Sequence, residues 1–238
     1  MGCFVPDLPY FFFLTPHGFE GHTLRGMFLF DLPASLIVLW LFHSFMKQPA
    51  LIFLPDGVRR RLKAGAYSFL PAGRLALIAI SILIGSATHI LWDAFTHSFY
   101  WPYRHWGFLR MNIELPIAGH LAMFNLLQYT TSAAGLLLVA AWVLHWYRTT
   151  DPVEHPIARP FRPAQRSALI ETIPVVAIVS GLLHAKKTVG WEIAIRPLTH
   201  FAADTVVTAI AFFALELLAC GMLLRVSKPA GEASYGNS

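Results

Sequence analysis

Charge is scarce in this sequence. Only 13% of its 238 residues are Asp, Glu, Lys or Arg, whereas a soluble domain carries about a quarter. Cysteine is scarcer: Cys3 and Cys220 stand far apart in no metal-type spacing. They give no disulfide framework and no clue to redox compartment. No Gly/Ser linker and no internal repeat divides the chain, so a single integral domain over 1–238 is expected. No basic stretch precedes the first apolar run and no small-residue cleavage site follows it, so no cleavable signal peptide is expected. The opening Met-Gly-Cys is not a myristoylation signal, because Pro6 stands where that motif needs Ser or Thr.

What the chain has in quantity is apolar surface: 56% hydrophobic residues and a mean hydropathy of +0.55. Runs of about 20 apolar residues match a hydrocarbon core of roughly 30 Å at 1.5 Å per helical residue. Such runs predict spanning helices at 27–46, 75–97, 126–147, 169–185 and 199–224, the fourth shorter and holding Pro174. The fold class is therefore all-α, a polytopic transmembrane bundle of about five helices. Residues 1–26 contain only a short apolar run, with Pro6, Pro9 and Pro16 discouraging a continuous helix. That segment reads as an interfacial loop or re-entrant stretch, and 98–125 reads as an aromatic loop at the membrane surface.

The net charge of +5 and pI of about 9.4 would suit nucleic acid, but the charges are placed as membrane proteins place them. The tail and the loops after the first and third helices hold twelve Lys and Arg, and the opposite side holds six. The excess puts the amino terminus outside and the carboxyl terminus in the cytoplasm. Arg59–Arg61 then reads as a topology determinant, and no nucleic acid partner is expected.

On this topology His17, His22, His89, His97, His105, His120, His184 and His200 fall toward the outer face, with Asp7, Asp31, Asp93 and Asp204. His43, His145 and His155 lie toward the inside. The centre of interest is 85–105, GSATHILWDAFTHSFYWPYRH, where His89, Asp93 and His97 share one helical stripe. Residues four apart lie about 6 Å apart along the axis and can share an ion; residues eight apart, at about 12 Å, cannot. One ion can take His89 with Asp93, or Asp93 with His97. Further ligands must come from elsewhere, and Asp7 and His22 at the outer mouth of the first helix are the obvious donors. His200 and Asp204 repeat the spacing and offer a second shell or a second site.

A set of nitrogen and carboxylate ligands without cysteine suits Zn, Mn, Fe or Ni, with zinc the first expectation for this divalent site. A zinc ion with three such ligands and a water would bring the pKa of that water near 7, giving a hydrolytic nucleophile. Arg25 and Arg104 are placed to bind an anionic group such as phosphate, and Arg25 and His97 are the candidate catalytic residues.

A structural reading stands beside each of these. His17, His105, His120 and His184 suit interfacial or hydrogen-bonded roles. His89 and Asp93 can also pair with each other or with Arg25 to hold helices together. Each ionisable group inside a span costs roughly 2.5–3.5 kcal/mol on insertion scales, which makes an accidental pair uncommon. Glu216 has no obvious partner in the sequence.

The blocks VPDLPYF, HTLRGMFLFDLP, GSATHILWDAFTH and LLQYTTSAAGLLL, taken together, resemble a bacterial multi-pass membrane family, domain-of-unknown-function family 4184. The likeness covers roughly residues 5–147 well and the rest loosely. It implies a helical protein of the bacterial inner (plasma) membrane and no established activity. More distantly, the Pro-Asp turn, the His segment and the His-x3-Asp helix are similar to predicted membrane-bound metal-dependent hydrolases. That comparison implies Asp7, His22, His89 and Asp93 as metal ligands. Members of the family usually carry a further His-containing segment before the Pro-Asp turn.

Three functions follow as expectations. The first is a metal-dependent hydrolase acting at the outer face on a lipid-linked or amphipathic substrate, with membrane lipids as its surroundings. The second is a non-catalytic membrane scaffold whose polar residues bind helices together. The third is a proton- or ion-coupled transporter using Asp31, Asp93, Asp204 and Glu216, for which five helices without a repeat are few.

Overall fold

The structure, a computed structural model, describes residues 1–14, 20–63, 65, 67–115, 119–154, 156–158, 160–190 and 195–226. His17, His155, Arg159 and the tail from 227 onward, all assigned a membrane side by the sequence, lie outside the described residues. Five helices are long and apolar enough to cross a membrane. They are α2 (Leu24–Phe53), α3 (Ala72–Thr96), α5 (Met123–Thr149), α6 (Pro163–Thr188) and α7 (Ile195–Val226). The short α1 (Leu8–Phe13) precedes them, and α4 (Trp101–His105) follows α3. The one sheet among the described residues is a hairpin of β1 (Asn112–Leu115) and β2 (Gly119–Ala122), antiparallel with Ile113 opposite Leu121.

Two segments are more ordered than the sequence suggests. Residues 1–14 are not a loop: a 3-10 turn at Val5–Asp7 runs into α1, with Pro6 and Pro9 in the first-turn positions of those helices. There the missing proline N–H has no intrahelical acceptor to lose. Leu14 closes α1 in the left-handed region at φ 56°. Likewise 98–125 is not a plain loop but holds α4, a 3-10 turn at Gly107–Arg110 and the hairpin. The fourth spanning helix is also longer than its apolar run. Pro163 starts it, the Gln165 side chain accepts from the Arg162 N–H, and it continues to Thr188.

Prolines shape α2 as well. Its turns Met27–Asp31 and Phe42–Met46 are wound as π-helix, each just ahead of a proline, Pro33 and Pro49. Proline crowds the carbonyl one turn back and cannot bond it; a wider turn relieves the crowding. Pro49 thus leaves the Phe45 carbonyl without its usual helical donor, and that carbonyl lies directly over the Cα of Gly221 on α7. Only a residue without a side chain lets the two backbones come so close.

The same device joins α6 to α7, the most extensive helix pair. Ala177, Gly181 and Ala185 form a buried small-residue stripe at four-residue spacing, and the Thr205 carbonyl sits where a Cβ on Gly181 would be. In lipid, where apolar burial gives no net drive between helices, such close backbone packing is a main source of affinity. At the opposite extreme, α5 buries no residue, so its Leu136, Leu137 and Leu138 face the lipid.

Gly181→Ala is therefore expected to destabilise the protein by about 1–3 kcal/mol through overpacking. Gly135→Ala, with nothing within 4 Å of the new methyl, should instead be neutral or stabilise by up to about 1 kcal/mol. Thermal unfolding of both variants in one detergent measures the contrast.

Candidate metal centre

The spanning helices alternate direction, so the start of α2 and the end of α3 meet at one membrane face. Residues 1–7 complete that corner: Gly2 packs on Ile82 and the Cys3 amide on Gly85, halfway along α3. Backbone contact at Gly2 and Gly85 leaves no room for side chains there. This seats the turn at Asp7 beside His89 and Asp93, one helical turn apart on α3. His22 arrives from the short 3-10 turn ahead of α2. The residue before it, Gly21, is forced by its neighbours: a Cβ there would lie 3.0 Å from the Pro6 carbonyl and 3.2 Å from Asp31 Oδ1.

Asp7, His22, His89 and Asp93 each present one ligand atom, and these atoms all lie within 4.8 Å of one another. His22 Nε2 is 3.2 Å from Asp7 Oδ1 and 3.3 Å from Asp93 Oδ2. His89 Nε2 is 3.5 Å from Asp7 Oδ2 and 3.2 Å from Asp93 Oδ2. With metal–ligand bonds of about 2.1 Å, the edges of a tetrahedral site are about 3.4 Å long. The four imidazole–carboxylate distances, 3.2–3.5 Å, match such edges, although they draw on both oxygens of Asp7. Hydrogen bonds would give similar distances, but His89 Nε2 is buried and has no partner of hydrogen-bonding geometry. A buried nitrogen that lies 3.2 Å and 3.5 Å from two carboxylates but is poorly aligned to hydrogen-bond them suits a ligand position, and the donor set fits a divalent transition metal.

The other expected residues are placed as follows. His97 Nδ1 lies 3.7 Å from Asp93 Oδ1, the oxygen not shared with His22 and His89, and 3.3 Å from the Thr96 hydroxyl. Arg25 is exposed, three residues beyond His22, and pairs with no carboxylate among the described residues. His200 and Asp204 do not join the cluster: Asp204 is buried and accepts from Thr188 Oγ1 at 2.7 Å, while His200 is exposed. Asp31 is fully buried, accepts from Ser86 Oγ, and has its Oδ1 without a partner. His184 ties α6 to the first segment through the Leu14 carbonyl at 3.0 Å.

A scan against family models matches residues 1–223 to one described as a domain of unknown function, DUF4184. The chain belongs to this family. Comparison with curated proteins and with solved structures gave no match. The DUF4184 match runs from the Asp7 turn through all five apolar helices and so takes in the whole cluster.

Two residues beside the candidate site escape a reading of the sequence because aromatic side chains there read as interfacial. The Tyr10 ring stacks on His22 with centroids 6.3 Å apart. Burial, with the Asp7 carboxylate beside it, pushes the Tyr10 phenol above its ordinary value, so it stays a neutral donor. The Tyr100 hydroxyl, three residues past His97, is buried without a partner. Only its place directly after the His-x3-Asp-x3-His stripe could have marked it.

Hydrogen bonds to Asp7 first and then Asp93 raise the His22 imidazole to about 9, against partial burial that opposes them. With no ion bound it is therefore an imidazolium at pH 7. A metal must displace that proton, so apparent affinity should climb about tenfold per pH unit until the imidazole loses its proton unaided. At least one proton per ion, that of His22, should be released at pH 7. Zinc titrations in buffers of differing ionisation enthalpy measure the proton count, and a count near zero would contradict this arrangement.

Proposed function

We propose that this protein is a metal-dependent hydrolase of the bacterial inner membrane. In this reading it acts at the outer face on a lipid-linked or amphipathic anionic substrate. The observation that carries the reading is the convergence of Asp7, His22, His89 and Asp93 around one point, with a buried, unpaired nitrogen on His89. The charge bias of the loops supports an outside amino terminus, which puts the cluster on the outer side. Exposed Phe12, Phe13, Phe99, Trp101 and Trp106 near the cluster support its lying at the membrane surface.

Asp7, His22, His89 and Asp93 would hold the ion. Bound there, a divalent metal supplies Lewis acidity and lowers the pKa of a water toward 7. The chain does the rest. Asp93 turns one oxygen toward both imidazoles, on the side where the ion would sit, and its other oxygen faces His97, which is placed to hold and pass a proton. The Tyr100 hydroxyl, without a partner among the described residues, would donate to a substrate oxygen. Arg25, exposed and three residues after His22 in the chain, would take the anionic group of the substrate. The scaffold reading draws its support from pairs such as Thr188–Asp204, which tie helices together away from the cluster.

The test is phosphate release from a panel of lipid-linked phosphates by detergent-purified protein supplied with zinc or manganese. Asp93→Asn should abolish release, and Tyr100→Phe should lower turnover by about 100-fold with little change in KM. Release that survives Asp93→Asn would count against this site, as would a Tyr100→Phe variant of full activity.

A further inference from the structure

A second site stands at the other end of the helices, about 30 Å along α2 from the His/Asp cluster. There α2, α7 and the strand-like stretch before α3 enclose a polar cleft of about 360 Å³. Lys47, Arg225, His43, Ser44 and Gln48 line it, and none of its described lining residues is acidic. A volume of this size is in the range of small-molecule sites. Among the described residues neither Lys47 nor Arg225 has a carboxylate within ion-pair distance. Lys47 Nζ spends one donor on the Gly65 carbonyl at 3.2 Å, and the Arg225 guanidinium lies 4.5 Å over the Phe45 ring. Both charges are thus held in place, and no described carboxylate compensates them. His43, stacked on Tyr67 at 3.7 Å with the rings 3° from parallel, has its Nδ1 buried and unpartnered.

The cleft does not end in water. Trp40 and Phe69 are shared with an adjoining apolar groove of about 350 Å³, completed by Leu36, Ile37 and Leu75. Leu36 lies eleven residues before Lys47 on α2, so the groove descends about 15 Å into the span. That is the depth of one leaflet, half of a hydrocarbon core of about 30 Å. A polar cleft of two unpaired cations at the helix ends, continuous with an apolar groove one leaflet deep, has the chemistry of one class of ligand.

We propose that this is a binding site for an anionic phospholipid of the leaflet on the basic side. The phosphate sits against Lys47 and Arg225, the headgroup hydroxyls reach Ser44 and Gln48, and one acyl chain lies along Ile37, Trp40 and Leu75. Two cations with no counter-charge among the described residues favour a lipid of net negative charge over a zwitterionic one. The site is separate from the His/Asp cluster and does not depend on whether that cluster catalyses anything.

Native mass spectrometry of the delipidated full-length chain tests this directly. It is offered dioleoyl phosphatidylglycerol, dioleoyl phosphatidylcholine or glycerol 3-phosphate. One phosphatidylglycerol per chain should be retained, about tenfold more strongly than phosphatidylcholine. K47Q/R225Q should fall to the phosphatidylcholine level, and K47R/R225K should keep the preference, which separates loss of charge from loss of fold. Equal retention of the two lipids by the wild type would overturn the proposal. So would an unaltered preference in K47Q/R225Q, or a preference lost in K47R/R225K. Displacement of the lipid by an equal concentration of glycerol 3-phosphate would also overturn it, making the cleft a site for a soluble anion.

Discussion

One carboxylate oxygen organises the His/Asp end of this protein. Asp93 Oδ2 stands 3.3 Å from His22 Nε2 and 3.2 Å from His89 Nε2, so a helix, a short turn and the first segment of the chain all close on it. Asp7 answers from the opposite side, contacting the same two imidazoles. Ionisable groups at the end of a span are costly unless they satisfy one another. Here they do so by converging, which is also what holding a cation requires. The Gly2–Ile82 and Cys3–Gly85 backbone contacts, the left-handed Leu14 and the crowded glycine at 21 all serve to bring the first segment and the His22 turn onto α3.

The lipid environment explains the remainder of the architecture. Helices without a hydrophobic drive between them meet through small residues, Gly181 at the Thr205 carbonyl and Gly221 at the Phe45 carbonyl. Proline is used twice inside α2 beside a widened turn, and once inside α6. The two ends of the bundle differ in chemistry. One gathers carboxylates and imidazoles beneath exposed aromatic rings, and the other gathers lysine and arginine. The second end is knitted by Arg59 donating to the Ile157 carbonyl at 2.6 Å and by Arg61 lying 4.1 Å over the Tyr147 ring.

Much of this was legible in the sequence, for identifiable reasons. Spanning helices announce themselves because about 20 apolar residues have few other uses. Their ends were less legible: α6 runs from Pro163 to Thr188 although its apolar run is shorter, because a helix continues through Gln, Arg, Glu and Lys without needing them to be apolar. Four-residue spacing revealed His89 and Asp93, yet the same spacing misled at His200 and Asp204, where Thr188 takes the carboxylate. Spacing puts two groups on one face and says nothing of what faces them. Tyr10 and Tyr100 were hidden among many surface aromatics, and the Lys47–Arg225 cleft depends on the ends of two helices that are distant in the chain. Neither leaves a linear signal.

The central claim is that Asp7, His22, His89 and Asp93 hold a divalent metal, and elemental analysis of the detergent-purified chain tests it most directly. Wild-type protein, offered zinc and then washed free of excess, should retain about one equivalent, and an H89A/D93A variant of the same helical content should retain almost none. A wild type that stays empty, or a variant that keeps its metal, would contradict the account and leave the cluster as a set of hydrogen bonds between helices.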